Sequence, residues 1–322
     1  MQMRPLGRTG LEVSVLGFGC GAVGGLMTRG SPADQEQAVA RAIELGINYF
    51  DTAALYGDGE SERNLGRVLA ALKPDVVVGT KVRLKADDRG RIGAAIAESL
   101  DASLGRLGLE QVDVFHLHNP VSDAPGGLSA GVVLDEVAAA FEKLETAGKA
   151  RFFGITGVGD TDALHRVVDA RAFDCVQVVY NALNPSAGGE LPADWPGQDY
   201  ADLLDAARRA DMGVIGIRAL AGGALSGSLA RHEHAMQVVE PIGSGADFAA
   251  DVARAKRFEP LIRQGAAASL TELAMRFVIA HEAVSTMLIG YSTLAQLEAA
   301  AAAVKRGPLT AAVIGRILAT RP

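Results

Sequence analysis

The sequence predicts an α/β fold: a (β/α)8 TIM barrel with an N-terminal β-hairpin. Three observations carry this expectation. A compact β-rich run followed by an amphipathic helical stretch recurs eight times, which calls for a parallel sheet covered by helices and exceeds the six strands of a dinucleotide-binding open sheet. No Pro/Ser-rich linker or shift in composition divides the 322 residues, so 1–322 is expected to form one barrel domain. Hydrophobic residues are 49% and charged residues 21% of the chain, enough apolar material for a barrel with its helical coat and far from the composition of disorder.

Each element has a local justification. Met3-Arg-Pro-Leu6 and Leu11-Glu-Val-Ser-Val15 flank Gly7-Arg-Thr-Gly10, two short strand-like runs around a turn, and this hairpin is expected to cap or plug the barrel. The barrel strands are expected at 15–19, 47–51, 76–80, 112–118, 152–156, 175–179, 213–217 and 285–289. The helices are expected near 34–46, 61–72, 91–107, 133–148, 160–170, 199–211 and 269–282, with 293–304 closing the series. Ser31-Pro32 or Asp34 can begin the first helix and Ser61 can cap the second, while Gly46, Gly148 and Gly213 stand where helices should give way to strands. Longer loops at 119–132, 182–198 and 224–247 carry Gly, Pro, Asp and the only Trp, Trp195. Long loops in a compact fold commonly carry function.

Charge and composition exclude several classes. Lys and Arg number 31 against 38 Asp and Glu, a net charge of −7, and no basic run is present, so a nucleic-acid or anionic-membrane partner lacks its electrostatic footprint. Two cysteines, Cys20 and Cys175, make no disulfide framework and fit a reducing compartment. The opening Met1-Gln-Met-Arg-Pro5 lacks the apolar stretch of a signal peptide, and no uncharged apolar run reaches the roughly 18 residues of a membrane span. Cytoplasm is the expected location and a small molecule the expected partner.

In a parallel barrel, chemistry gathers where the strands end. The second strand ends in Asp51, the third in Gly79-Thr80-Lys81 and the fourth in His116-Leu117-His118, while Tyr56 follows Asp51 by five residues in the next loop. Three neighbouring strands thus deliver a carboxylate, an ammonium and an imidazole to one rim. A buried Lys81 needs a partner, and Asp51 is the natural one. A charged Lys81 near Tyr56 is expected to favour the phenolate and lower its pKa from about 10, making the hydroxyl a proton donor or acceptor. His118 can orient a carbonyl by hydrogen bonding. This set suits carbonyl reduction or alcohol oxidation if a nicotinamide carries the hydride. Two other motifs compete: Gly19-Cys-Gly21-Ala-Val-Gly24 is a GxGxxG after a strand, as in Rossmann folds, and His116-Leu-His118 is an HxH pair, as in metal-dependent hydrolase barrels. Residues 25–31 separate the first from any helical period, and the second lies on the fourth strand with no further ligands in pattern, so no metal is expected and His116 is assigned to packing.

Ile47-Asn-Tyr-Phe-Asp51-Thr-Ala-Ala-Leu-Tyr56-Gly, Gly79-Thr-Lys81-Val, Asp113-Val-Phe-His-Leu-His118-Asn-Pro and Gly148-Lys-Ala-Arg-Phe-Phe-Gly-Ile-Thr156 together resemble the aldo-keto reductase superfamily, and the resemblance covers essentially the whole chain. It implies a (β/α)8 barrel, NADP or NAD as cofactor, and a tetrad of Asp51, Tyr56, Lys81 and His118 with Tyr56 as general acid/base. The implied reaction interconverts an aldehyde or ketone, sugar-like ones included, and its alcohol. The implied alternative is a non-enzymatic, redox-sensing NAD(P)-binding partner subunit of the same fold. By position, Gly19, Cys20, Thr156 and Gln177, with Asp51, look like the nicotinamide side. Arg218, Leu220, Gly222 and Gly223 look like the pyrophosphate stretch, and Ile289, Gly290, Thr293 and Gln296 like the adenosine end. Tyr56 and His118 would face the substrate, and Trp195, read from its place in the 182–198 loop and not from the resemblance, is either a wall of the substrate pocket or an aromatic that anchors its loop. Gly157 departs from the Asn and Ile217 from the aromatic that many members carry. Ser292, Gln296 and Ala300 stand where NADP-preferring members place basic residues, which leaves NAD open.

Overall fold

The computed structural model describes residues 1–189, 191, 195 and 197–320. Strands β1 (Met3–Pro5) and β2 (Glu12–Ser14) pair antiparallel with Met3 opposite Ser14. The barrel strands are β3 (Leu16–Gly19), β4 (Tyr49–Asp51), β5 (Val77–Val82), β6 (Val112–Leu117), β7 (Ala150–Gly157), β8 (Cys175–Val179), β9 (Gly213–Ile217) and β10 (Val284–Gly290). They pair in parallel in chain order, and β10 closes the circle by pairing with both β9 and β3. Alternation sorts the side chains: Val78 and Val82 join the apolar layer under the helices, whereas Val77 joins a separate cluster inside the barrel. Phe115, Phe141 and Phe153 stack within the outer layer, with centroids 5.4 and 4.8 Å apart along the series.

The hairpin plugs the barrel floor, as expected. Leu6 and Val13 are fully buried with Tyr49, Val114, Cys175 and Ile215. Gly7, at φ +53°, lies so close to β9 that a Cβ would stand 2.2 Å from the Gly213 nitrogen, so only glycine fits. Arg4 donates to the carbonyls of Ile279 and Val284 at 2.8 and 2.6 Å, tying the hairpin to the last strand.

Differences from the expected elements have local causes. The second helix starts at Glu60 behind Gly59, not under a Ser61 cap; the Ser61 hydroxyl instead donates to the Cys20 carbonyl. Asp202 sits at φ +60° and shortens the expected 199–211 helix to Leu203–Arg209. Gly213 begins β9, and its role is close contact with Leu6. Helices Phe248–Lys256 and Ala311–Ala319 escape sequence periodicity: the first buries an acid, Asp251, on its inner face, and the second is apolar almost throughout. A further short helix, Glu259–Arg263, was likewise without a sequence signal. No helix among the described residues is long and apolar enough to cross a membrane.

Because the plug is fully buried, Leu6→Ala should lower the unfolding free energy in urea by about 2–5 kcal/mol while the barrel's circular dichroism is retained. A loss under ~0.5 kcal/mol, typical of surface changes, would show that the hairpin is not part of the core.

Candidate active site

The site begins with the inward face of β5. Since Val78 and Val82 point outward, Lys81 points into the barrel, 1% exposed. Its ammonium donates to the Asp51 carboxylate, to the Thr52 carbonyl at 2.7 Å and to the Tyr56 hydroxyl at 3.2 Å. Asp51, ending β4, accepts a second bond from the Gln177 amide of β8 at 2.8 Å, so the ion pair is braced from the far side of the barrel. His118 follows β6, its amide held by the Val82 carbonyl at 2.7 Å. Its ring meets Tyr56 edge-on, with centroids 5.7 Å apart and an 85° interplanar angle. The structure thus brings Asp51, Tyr56, Lys81 and His118 together.

The loop that carries Tyr56 is fastened on three sides. Thr52 N–H donates to the Gly79 carbonyl at 2.8 Å, the Thr52 and Ser61 hydroxyls share a 2.8 Å bond, and Ser61 N–H donates to the Tyr56 carbonyl at 3.2 Å. Behind it, fully buried Glu62 accepts from Thr80 Oγ1 and Arg106 Nε, each at 2.5 Å. From sequence, Glu60 and Glu62 read as acids that a helix's first turn carries for its dipole, without a catalytic role; the structure makes Glu62 a buried strut joining β5 to two helices. Its signal was the Thr80 beside Lys81, an outward-facing hydroxyl that needs a buried acceptor.

Electrostatics distinguish the four groups. Burial pulls the Lys81 ammonium down, but Asp51 and the Tyr56 oxygen more than reverse this, and its pKa stands above the usual lysine value. Burial raises the Asp51 carboxyl against the pull of Lys81. Burial also raises the Tyr56 phenol above its ordinary value of 10.0, outweighing Lys81. This corrects the expected lowering: burial penalises the phenolate more than Lys81 favours it, and the Asp51 charge adds to the rise. Burial, with the charges of Lys81 and Arg83 adding to it, pushes His118 down to about 3, so the imidazole is neutral. His116, one layer below, is fully enclosed and fits only because Gly154 has no Cβ, which would stand 2.5 Å from its ring.

One cavity of about 890 Å³ opens above these groups, at the upper end of the ~300–1,000 Å³ usual for ligand sites. Gly19, Thr156 and Gln177 line it beside Asp51, and Arg218, Leu220, Gly222 and Gly223 form one wall. Ile289, Gly290 and Gln296 line its far end. The glycines of 19–24 serve close approach: a Cβ on Gly24 would stand 2.4 Å from Gly290, and Gly21 abuts the Tyr56 ring. A side chain at Gly157 would meet the Gln177 carbonyl at 2.5 Å.

Besides Lys81, which lies beneath the floor, three residues assigned to cofactor or substrate contact do not line the cavity. Cys20 is 1% exposed in the wall behind it, its thiol pushed up by burial. Thr293 is spent capping the helix Leu294–Lys305, accepting from Gln296 N–H at 3.3 Å. Trp195 is not a wall of the substrate pocket: it stands over the Arg254 guanidinium at 5.6 Å, beside Leu183 and Phe258. Arg254 is anchored there by Asp251 and by the Ser244 and Leu183 carbonyls, so the indole is a loop anchor. Residues 190, 192–194 and 196 of the 182–198 loop lie outside the described residues.

Comparison with known proteins gives a consistent picture. The chain is 31% identical to L-galactose dehydrogenase of Arabidopsis thaliana over 94% of its own length and 88% of that protein's. It is 27% identical to L-glyceraldehyde 3-phosphate reductase of Escherichia coli strain K12, covering 92% of this chain and 86% of the relative. The solved holo form of aldo-keto reductase AKR11C1 from Bacillus halodurans aligns with a TM-score of 0.74 at 25% identity, across 100% of this chain and 97% of that one. The model of the Aldo/keto reductase family matches residues 15–321, from the start of the barrel to the end of the last helix, and the chain belongs to that family.

Proposed function

We propose that this oxidoreductase interconverts an aldehyde or ketone, sugar-like carbonyls included, with its alcohol, using NAD(P)(H) and Tyr56 as general acid/base. The observation that carries the reading is the three-way grip of the buried Lys81 ammonium on Asp51, the Thr52 carbonyl and the Tyr56 hydroxyl. It fixes the phenol oxygen at the cavity floor beside His118.

The chain's residues fit a dinucleotide. Gly222 and Gly223 adopt φ of +68° and +109° on the cavity wall, a bare backbone stretch suited to close approach by phosphate. Arg218 and Arg231 line the same wall, and among the described residues neither pairs with a carboxylate. A bound nicotinamide supplies or accepts the hydride. The protein's part is the proton and the orientation. Neutral His118 donates a hydrogen bond to the carbonyl oxygen, and Tyr56 O–H, held by Lys81, delivers its proton to that oxygen as negative charge develops there. In the reverse direction the phenolate takes the proton back. Asp51 keeps Lys81 charged and Gln177 keeps Asp51 in place.

At the adenosine end the polar groups are committed: the Ser292 hydroxyl to the Gly24 carbonyl, Gln296 Oε1 to Ser292 N–H, and Arg306 to Glu272. No uncommitted cation among the described residues lines that end for a 2′-phosphate. NADH should therefore serve at least as well as NADPH in kcat/KM, and a preference for NADPH above about tenfold, ~1.4 kcal/mol, contradicts this.

Tyr56→Phe keeps the ring and removes the proton. Turnover should fall by about 10²–10⁴ with cofactor affinity retained; a loss within about tenfold per folded site would overturn the assignment. The pH dependence follows from the same groups. With the phenol above 10.0, the donor stays protonated through neutrality, so carbonyl reduction should be flat there and fall only as pH rises past that value. Alcohol oxidation should rise over the same alkaline range. With His118 near 3, neither profile should bend near pH 6.5. A bend there that disappears in His118→Asn would show a titrating imidazole and refute the neutral-donor role.

A further inference from the structure

The cavity's cations are tied down with one exception. Lys81 pairs with Asp51, Arg306 with Glu272, Arg231 donates to the Gly222 and Met236 carbonyls, and Arg218 donates to the Glu240 carbonyl at 3.3 Å. Arg83 lines the same cavity, and no hydrogen bond or ion pair holds its guanidinium among the described residues. Its position is nevertheless built. Val82 before it accepts from His118 N–H at 2.7 Å, and the amide of buried Asn119 both accepts from Leu84 N–H and donates to the Leu84 carbonyl, each at 2.8 Å. The backbone on either side of Arg83 is thus clamped to the segment that carries His118.

The topology says what this cation can reach. In the closed order β10-β3-β4-β5-β6-β7-β8-β9, β5 and β9 lie opposite each other. The Arg218–Gly223 wall follows β9, so a pyrophosphate bound there lies across the mouth from Arg83. Arg83 adjoins His118 on the neighbouring strand end, and strands are ~4.8 Å apart. The other residues lining the mouth on this side include Leu55, Pro120 and Val158, and the one carboxylate there among the described residues, Asp51, is paired with Lys81.

We infer that Arg83 receives an anionic group, a carboxylate or a phosphate, carried by the substrate a few bonds from its reacting carbonyl. This rests on the proposed carbonyl–alcohol chemistry and adds the substrate's charge to it. A guanidinium binds both anions by two parallel N–H···O bonds, whereas a lysine meets either one as a point charge without that fork.

The test compares matched pairs, 4-oxobutanoate with butanal and glyceraldehyde 3-phosphate with glyceraldehyde, in wild type, Arg83→Gln and Arg83→Lys. Both kcat/KM and the Kd for the cofactor-loaded protein are measured. In wild type the anionic member of at least one pair should be favoured by about 10–100-fold, the range of a charge-assisted hydrogen bond. Arg83→Gln should bring that ratio close to one, mainly through KM. The pair that shows the ratio in wild type and loses it in Arg83→Gln identifies the anion; retention of the ratio in Arg83→Lys shows a point-charge contact and its loss a bidentate one. A ratio near one in wild type for both pairs, or a ratio unchanged in Arg83→Gln, overturns the anion site. Absence of turnover with all four compounds while the Kd ratio persists and depends on Arg83 defeats the carbonyl chemistry but leaves the anion site standing.

Discussion

A lysine ammonium sealed inside a barrel is the constraint around which the upper half of this molecule is arranged. Removing an ammonium and a carboxylate from water costs several kcal/mol per ion, and their attraction restores this only with good geometry and further hydrogen bonds. Here Lys81 has three acceptors and Asp51 has a second donor, Gln177. The partners come from β4, from the loop after it and from β8. A closed barrel is what brings those segments together: β4 and β5 are neighbours, while β8 reaches the pair across the interior. The pair does not itself make the fold stable. Its product is a phenol oxygen held at a fixed point with a cation beneath it.

The rest of the barrel divides by chemistry along its axis. The floor is apolar and plugged by Leu6 and Val13, while the mouth is lined by loops and holds Asp51, Tyr56 and His118 over the buried Lys81. Stability and function are therefore built at opposite ends, as in other parallel barrels. Between the ends lies His116, buried without catalytic contact and admitted by Gly154. The glycines after β3 work the same way, letting the loop lie against β10 and Tyr56. A GxGxxG spacing therefore arises here from backbone packing; within the 25–31 stretch expected to be free of helix the structure has the single turn Leu26–Arg29, too short for a dinucleotide-binding helix.

What was legible in the sequence was mostly what repeats or what ends a strand. The strands 175–179 and 213–217 appear with the expected bounds, and the tetrad sits where strand ends place Asp51, Lys81 and His118. Long-range pairings were not legible. Glu62 reads only as a first-turn dipole acid because Arg106 is 44 positions away and Thr80 lies on a separate strand. Trp195 reads equally as a pocket wall because nothing local reveals Arg254 beneath it. Helix Phe248–Lys256 was hidden by a buried acid that breaks its apolar stripe. The direction of the Tyr56 shift differs for a related reason: sequence shows the cation and its Asp51 partner but not the depth of burial that outweighs the lysine.

The central claim is that the Lys81 ammonium, paired with Asp51, restrains the rise that burial imposes on the Tyr56 phenol, and a direct titration of that phenol tests it. Ring-labelled tyrosine can be followed by NMR against pH in wild type and in Lys81→Met, with Tyr56→Phe identifying the signal among five tyrosines. Tyr56 should titrate above 10.0 in wild type and higher still in Lys81→Met, where the cation is gone and the Asp51 charge is left uncompensated. An unchanged titration in Lys81→Met, or a phenol that ionises more easily without the lysine, would contradict the account.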